Sequence, residues 1–214
     1  MGSQKDMGRK AVDAVLLLDE AMAEAAIEAN RKLVGRSGRR IVLDKENCLP
    51  HVSLAMGCID ERDVGAIGEI LEVIGGKTRL GELKVCGIVI STNARGEKVS
   101  AFEVEKTREL ARLHEAVMKR LMPYFSRDVT EEMIYGEEEV AQTTLDWIEN
   151  YAGKAAFENF VPHITIGYGD VEGEMLPITF RASRLALCHL GNHCTCRRVL
   201  AAVNLGDNVE LCQS

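Results

Sequence analysis

The spacing of apolar residues alternates between a strand period and a helical period along the first half of the chain. An apolar run over 11–18 predicts a strand. Apolar residues at helical spacing then predict helices over 20–34 and 60–74, each followed by glycine, which commonly ends a helix. Two further runs, over 83–90 and 98–104, flank a turn-rich segment and predict a pair of strands. These runs together predict mixed α and β structure.

The second half of the chain repeats this order in outline. A helix is predicted over 107–122. An acidic stretch and a helical run follow within 128–160, and strands are predicted over 178–190 and 197–205. Two halves with a similar order of elements predict an α+β domain that arose by internal duplication.

One phrase occurs in both halves: a proline and a histidine, followed by apolar residues that alternate with a hydroxyl residue. It stands at residues 49–57 and 161–169. Because side chains alternate along a strand, we expect His51 and Ser53 on one strand face, about 6.6 Å apart, with aliphatic residues on the other face. We expect the same relation between His163 and Thr165. Each half is therefore predicted to offer one imidazole and one hydroxyl.

Length and composition restrict the chain to a few protein classes. With 214 residues, 46% of them hydrophobic, it is long enough for one domain with a proper core. The formal charge of −7 argues against binding of a long nucleic-acid duplex, because such affinity comes mainly from Lys and Arg. No apolar run is long enough to span a bilayer, and no secretory signal precedes the first strand. We expect a soluble, cytoplasmic protein with its seven cysteines reduced and no membrane partner.

The two short signatures, HVSL at His51 and HITI at His163, resemble those of the two-histidine (2H) phosphoesterase superfamily, which includes LigT-like 2′-5′ RNA ligases and cyclic phosphodiesterases. The order of elements around the signatures is also similar. The resemblance implies one bilobal domain over 1–214, with two pseudo-symmetric lobes of antiparallel β-sheet and flanking helices around a central groove. The lobes are expected over residues 11–105 and 106–205, with an acidic and helical insertion over 128–160.

The two motifs permit acid and base chemistry at a phosphate. Histidine has an ordinary pKa of about 6.5, so one imidazole can accept a proton and another can donate one near neutral pH. The resemblance implies that His51 and His163 are the acid/base pair and that Ser53 and Thr165 hold phosphate oxygens. This scheme needs no metal and no cofactor. The sequence leaves open which histidine is the acid.

The expected reaction is hydrolysis of a cyclic phosphodiester. The substrate would be the 2′,3′-cyclic phosphate of a nucleotide or of an RNA end, and the acidic composition favours a small or terminal substrate. With an RNA 5′-hydroxyl in place of water, the same groups would form a 2′-5′ linkage, as LigT-like members of the family do.

The residues that would neutralise the phosphate are the open part of the site. Some family members carry an arginine shortly after the second motif, and this chain does not. Arg197 and Arg198 are candidates because they open the last predicted strand, although a solvated strand end explains them equally well. Tyr168 could stack on a base or donate its hydroxyl, but the period of two places it opposite His163, where packing is the simpler role.

Two other functions compete with hydrolysis. Five potential soft-metal ligands fall within nine residues, which raises a metal-binding module as an alternative; they are Cys188, His189, His193, Cys194 and Cys196. Their spacing fits no usual zinc pattern, which favours a β-turn flanked by buried thiols. The second alternative is a catalytically silent protein that binds a nucleotide or a phosphorylated metabolite through the same groove.

Overall fold

The chain forms eight strands and four helices within the residues that the structure describes. The computed structural model describes residues 8–37, 40–93, 95–126, 128–171 and 177–205, apart from the side chain of residue 37. The strands are β1 (Arg9–Leu18), β2 (His51–Asp60), β3 (Leu83–Thr92), β4 (Lys98–Val104), β5 (His163–Tyr168), β6 (Ile178–Phe180), β7 (Ala182–Gly191) and β8 (Thr195–Asn204). The helices are α1 (Glu20–Ser37), α2 (Val64–Lys77), α3 (Arg108–Leu121) and α4 (Gln142–Lys154).

The strands form two four-stranded antiparallel sheets. The first has the order β2-β1-β7-β8 and the second the order β5-β4-β3-β6. This arrangement confirms the predicted α+β fold with two sheets. Each sheet draws strands from both halves of the chain, because β7 and β8 complete the sheet of β1 and β2, while β3 and β4 join β5. The division into sheets therefore differs from the predicted division of the chain into 11–105 and 106–205.

The strand predicted over 178–190 is two strands, which belong to different sheets. The prediction was wrong at Arg181, where β6 ends and the chain crosses to the first sheet. The Arg181 amide donates to Asp19 Oδ2 at 2.7 Å, and the Asp19 amide donates to the Arg181 carbonyl at 2.8 Å. These hydrogen bonds to a residue distant in sequence end the pairing of β6 at Arg181. The local apolar pattern cannot predict such a contact.

The two histidine-bearing strands meet at the middle of the molecule. Strands β2 and β5 are each an edge of their sheet, and they lie against one another. Helix α3 packs against β2, and α1 packs against β5, so a helix covers part of each edge strand. Helix α4, from within the predicted insertion, also packs against β2. Covering an edge in this way hides backbone groups that would otherwise pair with another chain.

No helix among the described residues is both long and apolar enough to cross a membrane.

Candidate active site at the junction of the sheets

The two motif histidines are held in the same way. Each begins its strand directly after a proline, and each ring contacts the carbonyl two residues earlier. His51 Nδ1 lies 2.7 Å from the Leu49 oxygen, and His163 Nδ1 lies 2.8 Å from the Val161 oxygen. Because a carbonyl only accepts, Nδ1 carries the hydrogen in both rings and Nε2 is the nitrogen left for proton transfer.

The motif hydroxyls lie on the same strand faces as the histidines, as predicted. A β-bulge directly follows each hydroxyl residue: the ladder to the neighbouring strand skips Leu54 after Ser53 and Ile166 after Thr165. We call the face of the first sheet that carries His51 and Ser53 the motif face. The two motifs therefore match in backbone register as well as in sequence, although the bulges themselves were not predicted.

A buried asparagine holds the second bulge. Asn30 on α1 donates through Nδ2 to the carbonyls of Ile166 at 2.7 Å and Ile41 at 3.0 Å, and its Oδ1 accepts from the Leu43 amide at 2.9 Å. Gly167 completes the bulge with a φ of 151°, a conformation that favours glycine. The backbone beside Thr165 is thus fixed by side-chain bonds from another element.

A buried histidine takes the corresponding place behind the first bulge. His114 on α3 is 1% exposed, accepts the Phe157 amide at Nε2 over 2.8 Å, and stacks on Phe160 with 3.9 Å between ring centroids. Burial lowers the pKa of His114 to about 4, and the Leu54 backbone opposes this shift. His114 is therefore neutral near pH 7 and supports the bulge as a packing group.

The pKa of His51 depends on its burial and on His163. Burial lowers the pKa of His51 to about 4; the Leu49 carbonyl opposes this shift and the charge of His163 adds to it. The His51 side chain is 12% exposed, so little water shields the ring. The structure therefore brings the two predicted histidines together, which sequence periodicity alone could not establish.

A third ionisable group, Asp13, lies beside His51 and was not predicted. Its side chain is 0% exposed, and Oδ2 lies 3.9 Å from His51 Nε2. No hydrogen bond of normal geometry reaches either carboxyl oxygen. Burial raises the pKa of Asp13 to about 8, although the Ser53 hydroxyl and the backbone at Leu54 and Ala55 lower it. The sequence did contain a signal: one charged residue inside the otherwise apolar run of β1.

Tyr168 lies on the same strand face as the second motif, contrary to the period-two prediction. Tyr168 pairs with Val99, and Thr165 pairs with Ala101, two residues further along β4. Partners two residues apart share a face, so Tyr168 and Thr165 do so as well. The bulge at Ile166 inserts one residue and reverses the alternation.

The Tyr168 ring lies in a small polar cluster. Its hydroxyl is hydrogen-bonded to His193 Nδ1 at 3.1 Å, and the Arg40 guanidinium lies 4.6 Å above the ring centre. Arg40 also pairs with Glu97. Tyr168 ends β5, five residues after His163. Sequence reasoning missed Arg40, because no spacing rule connects the loop after α1 to β5.

The two predicted arginines have different surroundings. Arg198 pairs with His189, which pairs with Val12, so all three point away from the motif face. Arg197 lies beside Cys48, whose pKa burial raises to about 11 and Arg197 lowers. The structure thus turns Arg198 away from the motif face, whereas Arg197 stays a prediction as a phosphate-binding residue.

The five candidate metal ligands do not converge. Cys188 and Cys196 form a disulfide with 5.6 Å between their Cα atoms, so the expectation of reduced thiols is wrong for this pair. His189 Nε2 donates to the Met133 carbonyl at 3.0 Å, while His193 contacts the tyrosine cluster. Across the described ranges no three His, Cys, Asp or Glu residues are grouped to hold a metal ion. The free cysteines there are Cys48, Cys58, Cys86 and Cys194, and Cys212 lies outside the described residues.

The fold is shared with solved structures of low sequence identity. TT0787 of Thermus thermophilus is 16% identical, with 91% of this chain and 97% of that chain covered and a TM-score of 0.57. LigT of E. coli in its apo form is 11% identical over 93% and 99% of the two chains, with a TM-score of 0.49. A further structure, described as a phosphoesterase, is 11% identical over 94% and 100%, with a TM-score of 0.47.

No protein-family model and no curated protein matches the chain. The chain has the two-sheet α+β fold of TT0787. This likeness shows the predicted α+β fold with two antiparallel sheets.

Proposed function

We propose that this chain is a two-histidine phosphoesterase that hydrolyses a cyclic phosphodiester without a metal. The observation that carries the proposal is the matched geometry of the two motifs. His51 and His163 begin two strands that contact one another, each has Nδ1 bound to a carbonyl, and each leaves Nε2 for proton transfer. A hydroxyl lies two residues further along each strand, at Ser53 and Thr165.

The proposed reaction moves two protons. The Nε2 atom of one histidine takes a proton from water as the water oxygen attacks phosphorus. The bond from phosphorus to a ribose oxygen breaks, and Nε2–H of the other histidine protonates that oxygen. Ser53 and Thr165 donate hydrogen bonds to the non-bridging oxygens as charge develops on them. Each acid/base role contributes about 10²–10⁴-fold to the rate.

The substrate we propose is a nucleotide or an RNA end that carries a 2′,3′-cyclic phosphate. The Tyr168 cluster supports this choice, because an aromatic ring beneath a guanidinium, five residues along β5 from His163, suits a nucleoside attached to the phosphate. An RNA 5′-hydroxyl in place of water would give a 2′-5′ linkage by the same proton transfers. The acidic charge of −7 favours a short or terminal substrate over a duplex. A cytoplasmic location stays a prediction.

Turnover of 2′,3′-cyclic nucleotides with and without a chelator tests the proposal. We expect chelator-resistant hydrolysis that falls by about 10²–10⁴-fold in His51→Gln and in His163→Gln. The control is His189→Gln, because His189 points away from the motif face and Gln can keep its bond to a carbonyl.

Three results would contradict the proposal. Turnover retained in a folded double variant of the two motif histidines rules out the acid/base pair. Chelator-sensitive turnover supports a metal site, and nucleotide binding without turnover supports the silent binding protein.

A further inference from the structure

Asp13 is a buried carboxyl group whose cost to the fold is offset only in part, by the Ser53 hydroxyl and the backbone of Leu54 and Ala55. Its side chain is 0% exposed in the middle of β1, and neither oxygen has a hydrogen bond of normal geometry. A buried polar group without a partner destabilises a fold, and a charged one does so more. Packing gives no reason for a carboxyl at this position, because the equivalent place in the second sheet, opposite Tyr168, is Val99.

The groups that face Asp13 leave His51 as its proton partner. They come from four elements: His51 and Ser53 on β2, Tyr151 on α4, Cys194 before β8, and Cys188 on β7. Cys188 is in a disulfide. Burial, and then Asp13 itself, raises the pKa of Tyr151 and of Cys194, so both stay protonated and neutral. Of these described neighbours, only His51 can take up a proton.

Taking the proposed function as given, we propose that Asp13 is the proton partner of His51: it holds a proton at rest and passes it to Nε2, so that His51 donates to the leaving oxygen and His163 accepts from water. This assignment removes the symmetry of the two motifs. It follows from position, because Asp13 Oδ2 lies 3.9 Å from His51 Nε2 and the equivalent place in the second sheet is Val99, which has no carboxyl.

The protons balance over one cycle. Once the side chains close the 3.9 Å gap between Asp13 Oδ2 and His51 Nε2 to hydrogen-bonding distance, transfer from the carboxyl to Nε2 gives a carboxylate beside an imidazolium. The imidazolium protonates the ribose oxygen as the bond from that oxygen to phosphorus breaks, while His163 Nε2 takes a proton from the attacking water. His163 then releases its proton to solvent, and Asp13 regains one from solvent.

The partner is needed because burial alone would leave His51 unprotonated. Burial lowers the pKa of His51 to about 4, so an isolated His51 carries no proton to donate near pH 7. Burial raises the pKa of Asp13 to about 8, so the proton is stored there instead. Wild-type kcat on a cyclic substrate should therefore fall as pH rises through about 8, where Asp13 loses its proton.

A comparison of leaving groups tests the assignment. A 2′,3′-cyclic nucleotide releases an alkoxide, which needs a proton, whereas a nucleoside p-nitrophenyl phosphodiester releases a phenolate, which does not. We expect Asp13→Asn and His51→Gln to lose about 10²-fold or more on the cyclic substrate, and only a few-fold on the nitrophenyl ester. His163→Gln should be slow on both. The control is Asp60→Asn, at the far end of β2, where the carboxylate pairs with Arg62.

The outcomes separate this inference from the function on which it rests. Wild-type rates for Asp13→Asn on the cyclic substrate would overturn the inference alone. So would a result in which the nitrophenyl ester restores the rate of His163→Gln but not that of His51→Gln. An unchanged fall of kcat above about pH 8 in Asp13→Asn would also overturn it. If Asp13→Asn does not fold, Asp13→Val, which copies Val99 of the second sheet, is measured in the same way. Absence of wild-type turnover on both substrates overturns both the inference and the proposed function.

Discussion

The two histidine-bearing edge strands use the same backbone devices but are surrounded by different side chains. In both, proline precedes the histidine, Nδ1 is bound to a carbonyl two residues earlier, and a bulge follows the hydroxyl residue. The neighbouring strand then differs. Five residues after the histidine, β2 places Met56 opposite Asp13, and β5 places Tyr168 opposite Val99.

This difference shows that one set of features positions the histidines and another set determines their chemical roles. The shared devices fix where each imidazole and hydroxyl lies, and they are made by backbone geometry. The residues on the neighbouring positions decide what each ring can do: a buried carboxyl beside His51, and a tyrosine with a guanidinium further along from His163. A duplicated framework thus offers two similar sites that are open to different roles.

The largest expected effect tests the shared part of the comparison. Ser53→Ala and Thr165→Ala should each lower kcat on a cyclic nucleotide by about 10²–10³-fold, because each removes one donor to the developing charge. Ser91→Ala, which removes an exposed strand hydroxyl on β3, is the control and should leave kcat unchanged. Steady-state kinetics decide it, and wild-type kcat in either motif variant would show that the two hydroxyls are not equivalent.

Local sequence patterns predicted the parts of the site that depend on single strands. The periods of two and of 3.6 gave the helices, most strands and the faces of His51 and His163. What failed depends on contacts between distant segments. The bulge at Ile166, held by Asn30, reversed the face of Tyr168. No pattern along one strand reports such a contact.

The same limit explains the misplaced and missed charges. Arg198 was chosen for its place at a strand start, but cross-strand register turns it away from the motif face. Asp13 is far from His51 in sequence and becomes its neighbour only when β1 pairs with β2. Arg40 reaches Tyr168 from a loop. Charges therefore need the sheet register before their roles can be assigned.

The next effect tests how the second bulge is held. Asn30→Ala removes the partners of two carbonyls and one amide, and we expect the free energy of unfolding to fall by about 3 kcal/mol. Urea unfolding measures it. Asn150→Ala is the control, because Asn150 is exposed and bonds only within its own helix among the described contacts; its effect should be within about 0.5 kcal/mol. Equal losses in the two variants would mean that the buried amide does not hold the bulge.

A smaller effect, an increase in the free energy of unfolding, tests the residues that differ between the two sheets. Asp13→Val places in the first sheet the residue found at the equivalent place in the second, Val99, and we expect the free energy of unfolding to rise by about 1–3 kcal/mol near pH 8. The native pKa of Asp13 is raised from 3.8 to about 8, so its contribution is most favourable at low pH and is lost as pH rises across that range. The gain in the variant should therefore be larger at pH 8 than at pH 5. Urea unfolding at both pH values measures this, and a variant less stable than wild type at pH 8 would show that Asp13 has a structural role.

The smallest effect concerns the end of β5. Tyr168→Phe keeps the ring beneath Arg40 but removes the hydroxyl that bonds His193, so KM for a cyclic nucleotide should rise about 2–5-fold with kcat unchanged, as expected for one lost hydrogen bond. Met56→Leu, at the equivalent place in the first motif, conserves volume and should leave KM unaltered. A change in kcat without a change in KM would place the tyrosine hydroxyl in the chemical step and contradict its assignment to the nucleoside. An effect on KM from Tyr168 alone would show that the duplicated strand ends have diverged in binding as well as in proton transfer.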